Sequence, residues 1–331
     1  MSTRAVHTPQ AAYQPQAPSS EPGAWRKTLR AVAIAATVPY LTLKISWLAG
    51  SHLGIPEGSV LREPGTAFFI SLNALTVVMD FSVVLLALLL TRPWGLRVPS
   101  WLLVLPVFTA TGLLTPIVLA FPGQLLVRGV GLGPDEALGA GGRPFLEPWV
   151  FDVVYPGFIV QAVALAGLFT GYARERWGGP WQGVLGRRLP SSTGVVAGAA
   201  AVTALAVAGG YLYWSFGGTA GQNAAQVAAY SSDRVVVHVV NAMCALAGAA
   251  GAVLLARGGE RRAVWPLAGA WIGSAAALCW GMWLMVSLLG SDFGPEEQPT
   301  TATALIYAGQ MITGLLGGAI VARFLAGRRA G

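Results

Sequence analysis

The stretch TVVMDFSVVLLALLL, residues 76–90, places a single carboxylate, Asp80, inside an otherwise apolar run. With its flanks the apolar region covers 67–91, and about 20 residues suffice for a helix to cross the hydrocarbon core of a bilayer. The apolar character is continuous and does not alternate, which favours a helix over a strand of a membrane barrel. Residues 67–91 are therefore predicted to form a transmembrane helix with an acid near its middle.

Seven further segments have the same character. The chain is 54% hydrophobic and only 11% charged, whereas soluble domains carry about 25% charged residues. We predict an all-α membrane protein with eight transmembrane helices. They are expected at 31–50, 67–91, 101–121, 149–172, 193–216, 235–256, 264–289 and 302–325.

The basic residues are distributed asymmetrically over the connecting segments. If the N-terminus is inside, the inner segments hold 16 of the 21 Lys and Arg residues, and the outer segments hold Arg62, Arg128, Arg143 and Arg234. The positive-inside rule relates such an excess to the cytoplasmic side. We expect a multi-pass protein of the cytoplasmic membrane with both termini in the cytoplasm. The net charge of +7 then reflects orientation in the lipid bilayer, and a nucleic-acid partner is rejected.

Two similar motifs indicate an internal duplication. WLAGSHLG begins at Trp47 and WSFGGTAG begins at Trp214, and both read W-x-x-G-x-x-x-G at an offset of 167 residues. Asn73 and Asn241 follow at an offset of 168. An even number of spans per half gives both halves the same orientation, which is a parallel repeat. We predict tandem four-helix repeats over 25–180 and 181–331, after a disordered cytoplasmic tail over 1–24 that is rich in Pro, Gln, Ala and Ser.

Two segments have the G-x-x-x-G spacing that permits close packing of membrane helices. One begins at Gly194 in the fifth span, and the other begins at Gly314 in the eighth span. Both are expected at helix–helix contacts.

Polar side chains form a stripe on each of the first two helices. At 100° per residue the members of each stripe share one face, and that face is expected inside the bundle because exposure to lipid is costly. The stripes are Tyr40, Lys44 and Trp47 on the first helix, and Asn73, Thr76 and Asp80 on the second. Lys44 and Asp80 lie at different depths but lean toward each other, so they are expected to meet directly, through Asn73 or Thr76, or through a water.

Two interpretations of these charges remain open. A buried ion pair would serve helix packing alone, whereas intramembrane ionisable residues commonly mark functional sites. An isolated Asp80 would stay protonated and could act as an acid, while a close Lys44 would favour its ionised form.

The second half offers weaker candidates for substrate contact. They are Asn241 on the sixth span and Tyr307 and Gln310 on the eighth. His238 has no second histidine nearby, so we expect neither a metal nor a cofactor.

Three segments resemble an actinobacterial family of eight-span membrane proteins, most of which have no assigned function. They are VPYLTLKISWLAGSHLG (38–54), LNALTVVMD (72–80) and TRPWGLRVPSWLLVLP (91–106). The arrangement of the buried acid also resembles, more distantly, membrane-bound terpene cyclases. In those enzymes an intramembrane carboxylic acid protonates an alkene or an epoxide.

The second resemblance implies a protonation-initiated terpene cyclase, an isomerase of secondary metabolism. Its substrate would be hydrophobic, a lipid-soluble or prenylated aromatic compound, and Asp80 would be the acid. The assisting residues would be Lys44, Asn73 and Thr76, and the substrate contacts would be Tyr40, Trp47, Asn241, Tyr307 and Gln310. Two other classes remain open, namely a proton-coupled small-molecule transporter and a membrane scaffold subunit.

Overall fold

The structure is a computed structural model, and it describes residues 23–57, 59, 62, 67–132, 146–179, 181–290 and 298–329. Nearly all of the regular structure in these residues is helical. The helices are α1 (Ala24–Leu48), α2 (Ala67–Leu89), α3 (Ser100–Gly129), α4 (Pro148–Trp177), α5 (Ser191–Ser215), α6 (Ala224–Ala228), α7 (Ser232–Arg257), α8 (Val264–Gly290) and α9 (Thr301–Arg329). The tail predicted over 1–24 lies outside the described residues up to position 22, and α1 begins at Ala24.

Seven of these helices are long and apolar enough to cross a membrane: α1, α3, α4, α5, α7, α8 and α9. The remaining predicted span coincides with α2, in which Asn73–Leu89 forms a shorter apolar stretch. Most helices run somewhat longer than or about as long as the predicted spans, whereas α2 ends two residues before its span does. In particular α3 continues through Pro122 to Gly129 instead of ending at 121, since membrane helices tolerate proline where neighbouring groups satisfy the freed backbone.

Two short strands correct the expectation of a purely helical chain. Strand β1 (Val184–Gly186) pairs antiparallel with β2 (Gly259–Arg262). The strands lie in the segments that follow α4 and α7, and the Leu189 amide donates to the Ala256 carbonyl at 3.1 Å beside them. The sequences of the two strands, VLG and GERR, are too short to give a strand pattern. Their pairing depends on the helices that bring them together.

Contacts between the connecting segments fall into two sets. Arg26 pairs with Glu175 at 2.7 Å and also donates to the Leu90 carbonyl, which joins three segments predicted to be inner. At the opposite helix ends, Arg128 pairs with Asp233. The described contacts therefore link inner segments with inner ones and outer segments with outer ones, as the predicted alternation requires.

The turns after α1 and α5 have the same conformation. Trp47 Nε1 donates to the Leu53 carbonyl at 2.7 Å, and Trp214 Nε1 donates to the Ala220 carbonyl at 3.0 Å, six residues ahead in both cases. The two glycines of each motif have positive φ, which only glycine adopts readily. These angles are +89° and +72° at Gly50 and Gly54, and +84° and +77° at Gly217 and Gly221. The W-x-x-G-x-x-x-G motif thus specifies one turn that occurs twice.

The two halves share part of their helix packing, although α7 packs closely on α8 and α9 while α2 makes few contacts with α3. In the first half α1 packs against α2 and α4, and α3 packs against α4; in the second half α5 packs against α7 and α9, and α8 packs against α9. Between the halves α3 packs against α7 and α8. Gly112 of α3 lies against the backbone of Ala275, and Trp280 Nε1 of α8 donates to the Leu113 carbonyl at 3.0 Å.

Only one of the two predicted G-x-x-x-G contacts forms at close range. A Cβ on Gly314 would lie 2.5 Å from the Leu278 nitrogen and the Ser274 oxygen of α8. The prediction for Gly194 was wrong, because Gly194 and Gly198 have no neighbouring helix backbone within 4 Å. The spacing permits close approach but does not specify it.

The four glycines of the two similar turns should differ in how well they tolerate alanine. Alanine at Gly50 or Gly217 should lower the free energy of unfolding by about 1–2 kcal/mol. This cost comes from the positive φ alone, because the space around the new Cβ is open. Alanine at Gly54 or Gly221 should cost more, because the Cβ would also lie 2.5 Å from Val150 or 2.6 Å from Ala302. Thermal unfolding in detergent should therefore give lower unfolding temperatures for the variants at Gly54 and Gly221 than for those at Gly50 and Gly217. Equal unfolding temperatures for all four variants would contradict this assignment.

Candidate functional site

Lys44 lies among partners from both polar stripes. Its Nζ donates to Asn73 Oδ1 at 2.8 Å. The ammonium group also lies 5.1 Å from the ring centroid of Tyr40 and 4.9 Å from that of Trp47. An amide oxygen and two aromatic rings therefore stabilise this charge inside the bundle.

Asp80 is buried in the same region of the first half, with 5% of its surface exposed. Its polar neighbours are Gln161 of α4 and, at longer range, Lys44. The Oδ2 atom is buried and makes no hydrogen bond with any described residue. Lys44 and Asp80 are not within ion-pair distance, since the pairs formed by the described residues are Arg26–Glu175 and Arg128–Asp233. Lys44 therefore uses Asn73 as its acceptor and leaves the carboxyl group without a direct cation.

The other predicted side chains of the first half surround these two groups. Thr76 is buried and donates from Oγ1 to the Asn73 carbonyl at 2.8 Å. Tyr40 faces Thr76, and its ring packs edge-on against Phe158 of α4 with centroids 4.9 Å apart. The structure thus brings together Tyr40, Lys44, Trp47, Asn73, Thr76 and Asp80, which we call the first-half polar cluster.

Sequence reasoning missed Gln161, which contributes to this cluster from α4. It is 1% exposed, and its Nε2 atom makes no hydrogen bond with a described residue. The internal repeat carries a signal that could have identified it, because Gln161 and Gln310 stand 149 residues apart, as do Arg174 and Arg323. The offset shortens along the chain, in part because α4 begins 48 residues after α3 begins whereas α9 begins 37 residues after α8 begins, so a fixed offset of 167 overlooked the pair.

The second half contains a neutral chain of hydrogen bonds at the corresponding positions. Tyr211, which the predicted duplication aligns with Lys44, donates from its hydroxyl to Gln310 Oε1 at 2.8 Å. Gln310 Nε2 then donates to Asn241 Oδ1 at 3.0 Å. Asn241 and Gln310, predicted as substrate contacts, therefore bond each other inside the second half, apart from the first-half cluster. Tyr307, also predicted, lies near Arg234 of α7.

An apolar groove of about 710 Å³ lies between α2, α3, α4 and α8. Its walls include Leu86, Leu165 and Trp271, but none of the predicted site residues. On α4 the wall begins at Ala162, next to Gln161, and continues away from Asp80 along the helix. The groove and the first-half polar cluster are therefore neighbouring but separate features.

Groups of three or more His, Cys, Asp or Glu residues that could hold a metal ion do not occur among the described residues. No protein-family model, curated protein or solved structure matches this chain significantly. Inferences about function therefore rest on the geometry of the chain itself.

Because Lys44 bonds Asn73 and not Asp80, we expect different losses of stability when either partner is replaced. Asn73→Leu removes the acceptor of a buried ammonium group and should cost about 1–3 kcal/mol of unfolding free energy. Asp80→Asn should cost less than about 1 kcal/mol, because it breaks no ion pair. Unfolding in detergent measures both. A loss of about 3–5 kcal/mol in Asp80→Asn would instead support a structural ion pair.

The two buried glutamines provide a second comparison. Gln310→Leu leaves the Tyr211 hydroxyl and the Asn241 Oδ1 atom without their hydrogen-bond partner, so we expect a loss of about 1–3 kcal/mol of unfolding free energy. Gln161→Leu is the matched comparison and should cost less, because the polar neighbour of Gln161 is the single Asp80 carboxyl, whereas Gln310 bonds two side chains. If both variants unfold at the same temperature, the chain through Gln310 contributes nothing to stability.

Proposed function

We propose that the protein crosses the cytoplasmic membrane eight times, as two parallel four-helix repeats with both termini in the cytoplasm. Two observations support this proposal. The W-x-x-G-x-x-x-G turns match in hydrogen bonds and in backbone angles, and the arginine-rich segments contact one another at one end of the bundle. In this arrangement α2 is a span, which its 23 residues allow.

We further propose that the first half is the active half of an intramembrane enzyme, a protonation-initiated cyclase of prenylated, lipid-soluble substrates. The observation that carries this proposal is the buried Asp80 carboxyl, whose neighbour is the neutral Gln161 and whose Oδ2 atom makes no hydrogen bond with any described residue. A buried polar atom without a partner is costly, and a neutral acid in that state is able to donate its proton to a substrate. The second half, in which the corresponding polar groups bond each other, serves as support.

In the proposed reaction the Asp80 hydroxyl proton adds to an alkene or epoxide of the prenyl chain. The resulting cation is attacked by the next double bond, and loss of one proton from the cyclised cation gives a product isomeric with the substrate. Thr76 and Asn73 hold α2 and Lys44 in place around the acid.

Aromatic rings are suited to stabilise such a cation. The Tyr40 and Trp47 rings already interact with the Lys44 ammonium, so they are less free for a substrate than the sequence suggested. Tyr155 and Phe158 of α4 pack beside Tyr40 and are the better candidates. This assignment replaces the roles first given to Asn241 and Gln310, whose polar groups bond each other.

A proton-coupled transporter is the second candidate. The charge of Lys44 acts on Asp80 at long range, so a proton moving on or off the carboxyl would change the electrostatic energy of both groups. Coupled carriers place such titratable pairs inside the membrane.

The cyclase proposal predicts the fate of the product when the acid is removed. Cells producing wild type and fed prenylated aromatic precursors should contain a compound isomeric with a precursor. In cells producing Asp80→Asn, the amount of this compound should fall at least about 100-fold, because a positioned acid usually contributes that much to the rate. Asp152→Asn, the same change at an exposed position of α4, should leave the product unchanged.

Comparative mass spectrometry at matched membrane levels of the proteins measures these outcomes. A product that persists in Asp80→Asn would refute the role of the acid. Identical extracts with and without wild type would refute cyclase activity on this substrate class, and proton flux into vesicles would then test the transporter.

A further inference from the structure

The apolar groove has one charged side chain among its described lining residues. Arg174 near the end of α4 occupies this position, in a wall that is otherwise made of aliphatic, aromatic and threonine side chains. Thr111, Thr115 and Thr170 each donate to a carbonyl four residues back in their own helix. The groove is therefore apolar along its length and positively charged at one end.

Arg174 makes no hydrogen bond or ion pair with the described part of the chain, unlike its neighbours. Glu175 is paired with Arg26, and the Arg176 guanidinium donates to the carbonyl oxygens of Gly95 and Val98. The residue at the corresponding position of the second half, Arg323, donates to Thr193 Oγ1 at 3.1 Å. Arg26, Arg176 and Arg323 thus bond other parts of the fold, whereas Arg174 stays exposed at one end of the groove.

The dimensions of the groove fit a lipid chain. Along α3 the lining runs from Val104 to Leu119, which is about 22 Å at 1.5 Å per residue. One leaflet contributes about half of a hydrocarbon core 30 Å thick, so the groove is long enough for an acyl chain. Trp177 and Trp181 lie with Arg174 at the inner end, where tryptophan rings commonly occupy the level of the lipid headgroups.

We propose that this groove binds a phospholipid with an anionic headgroup, whose acyl chain lies along α3 and α4 and whose phosphate contacts Arg174. Arginine is well suited to phosphate, since its planar guanidinium presents several donors at once. A peptide is a poor occupant, because the apolar walls offer no partners for its backbone groups. The proposal does not depend on the reaction assigned to Asp80.

The test uses the full chain in phosphatidylcholine vesicles that contain a small fraction of lipid with brominated acyl chains. Bromine quenches nearby tryptophans, and Trp177, Trp181 and Trp271 line the groove. Brominated phosphatidylglycerol should bind about fivefold more tightly than brominated phosphatidylcholine, the effect of one arginine near an anionic lipid. Equal quenching by both lipids would overturn the proposal.

Three variants distinguish the groove from the rest of the surface. Arg174→Gln should abolish the preference for phosphatidylglycerol. Ala166→Phe, at an exposed position of the groove wall, should reduce quenching by both lipids because it fills the groove. Arg257→Gln is the control, since Arg257 is exposed at the end of α7 and does not line the groove. A preference that survives in Arg174→Gln, or one that Arg257→Gln removes equally, would refute the site.

Discussion

The hydrogen bond between Lys44 Nζ and Asn73 Oδ1, at 2.8 Å, determines the chemistry of the first half. An ammonium group inside a membrane bundle needs an acceptor, because leaving it unpaired in an apolar surrounding is very costly. The nearest carboxyl, that of Asp80, is not the acceptor. One interaction therefore stabilises the packing of α1 on α2 and also leaves an acid inside the protein without a direct cation.

If the proposed duplication holds, the two halves combine similar turns with different polar interiors. The turns after α1 and α5 match in detail, whereas the helix packing matches only in part, since α7 packs closely on α8 and α2 makes few contacts with α3. At the position of Lys44 the second half has Tyr211, which bonds Gln310 and through it Asn241. At the position of Asp80 it has Gly248, whose missing side chain lets α7 approach Gly273 and Ser274 of α8. The second half is tightly packed where the first half holds charge.

Much of this arrangement is predictable from the sequence, because a bilayer constrains it strongly. Apolar length located the helices, and the 3.6-residue period placed the polar residues from Tyr40 to Asp80 on facing stripes. The partner of Lys44 was left open, since Asn73 and Asp80 share one face of α2 and only packing selects between them. Gln161 was missed because the repeat offset changes before α4. The strand pair β1–β2 and the groove depend on contacts between distant segments, which no local pattern encodes.

We propose that Asp80 is a neutral acid inside the membrane and not the anion of a structural ion pair. Infrared difference spectroscopy of wild type and Asp80→Asn at neutral pH distinguishes the two states, because a protonated carboxyl has a C=O stretch that a carboxylate lacks. We expect a carboxylic-acid band that is present in wild type and absent in the variant. A carboxylate signal lost in the variant instead would show that Asp80 is ionised, and would refute its role as an acid.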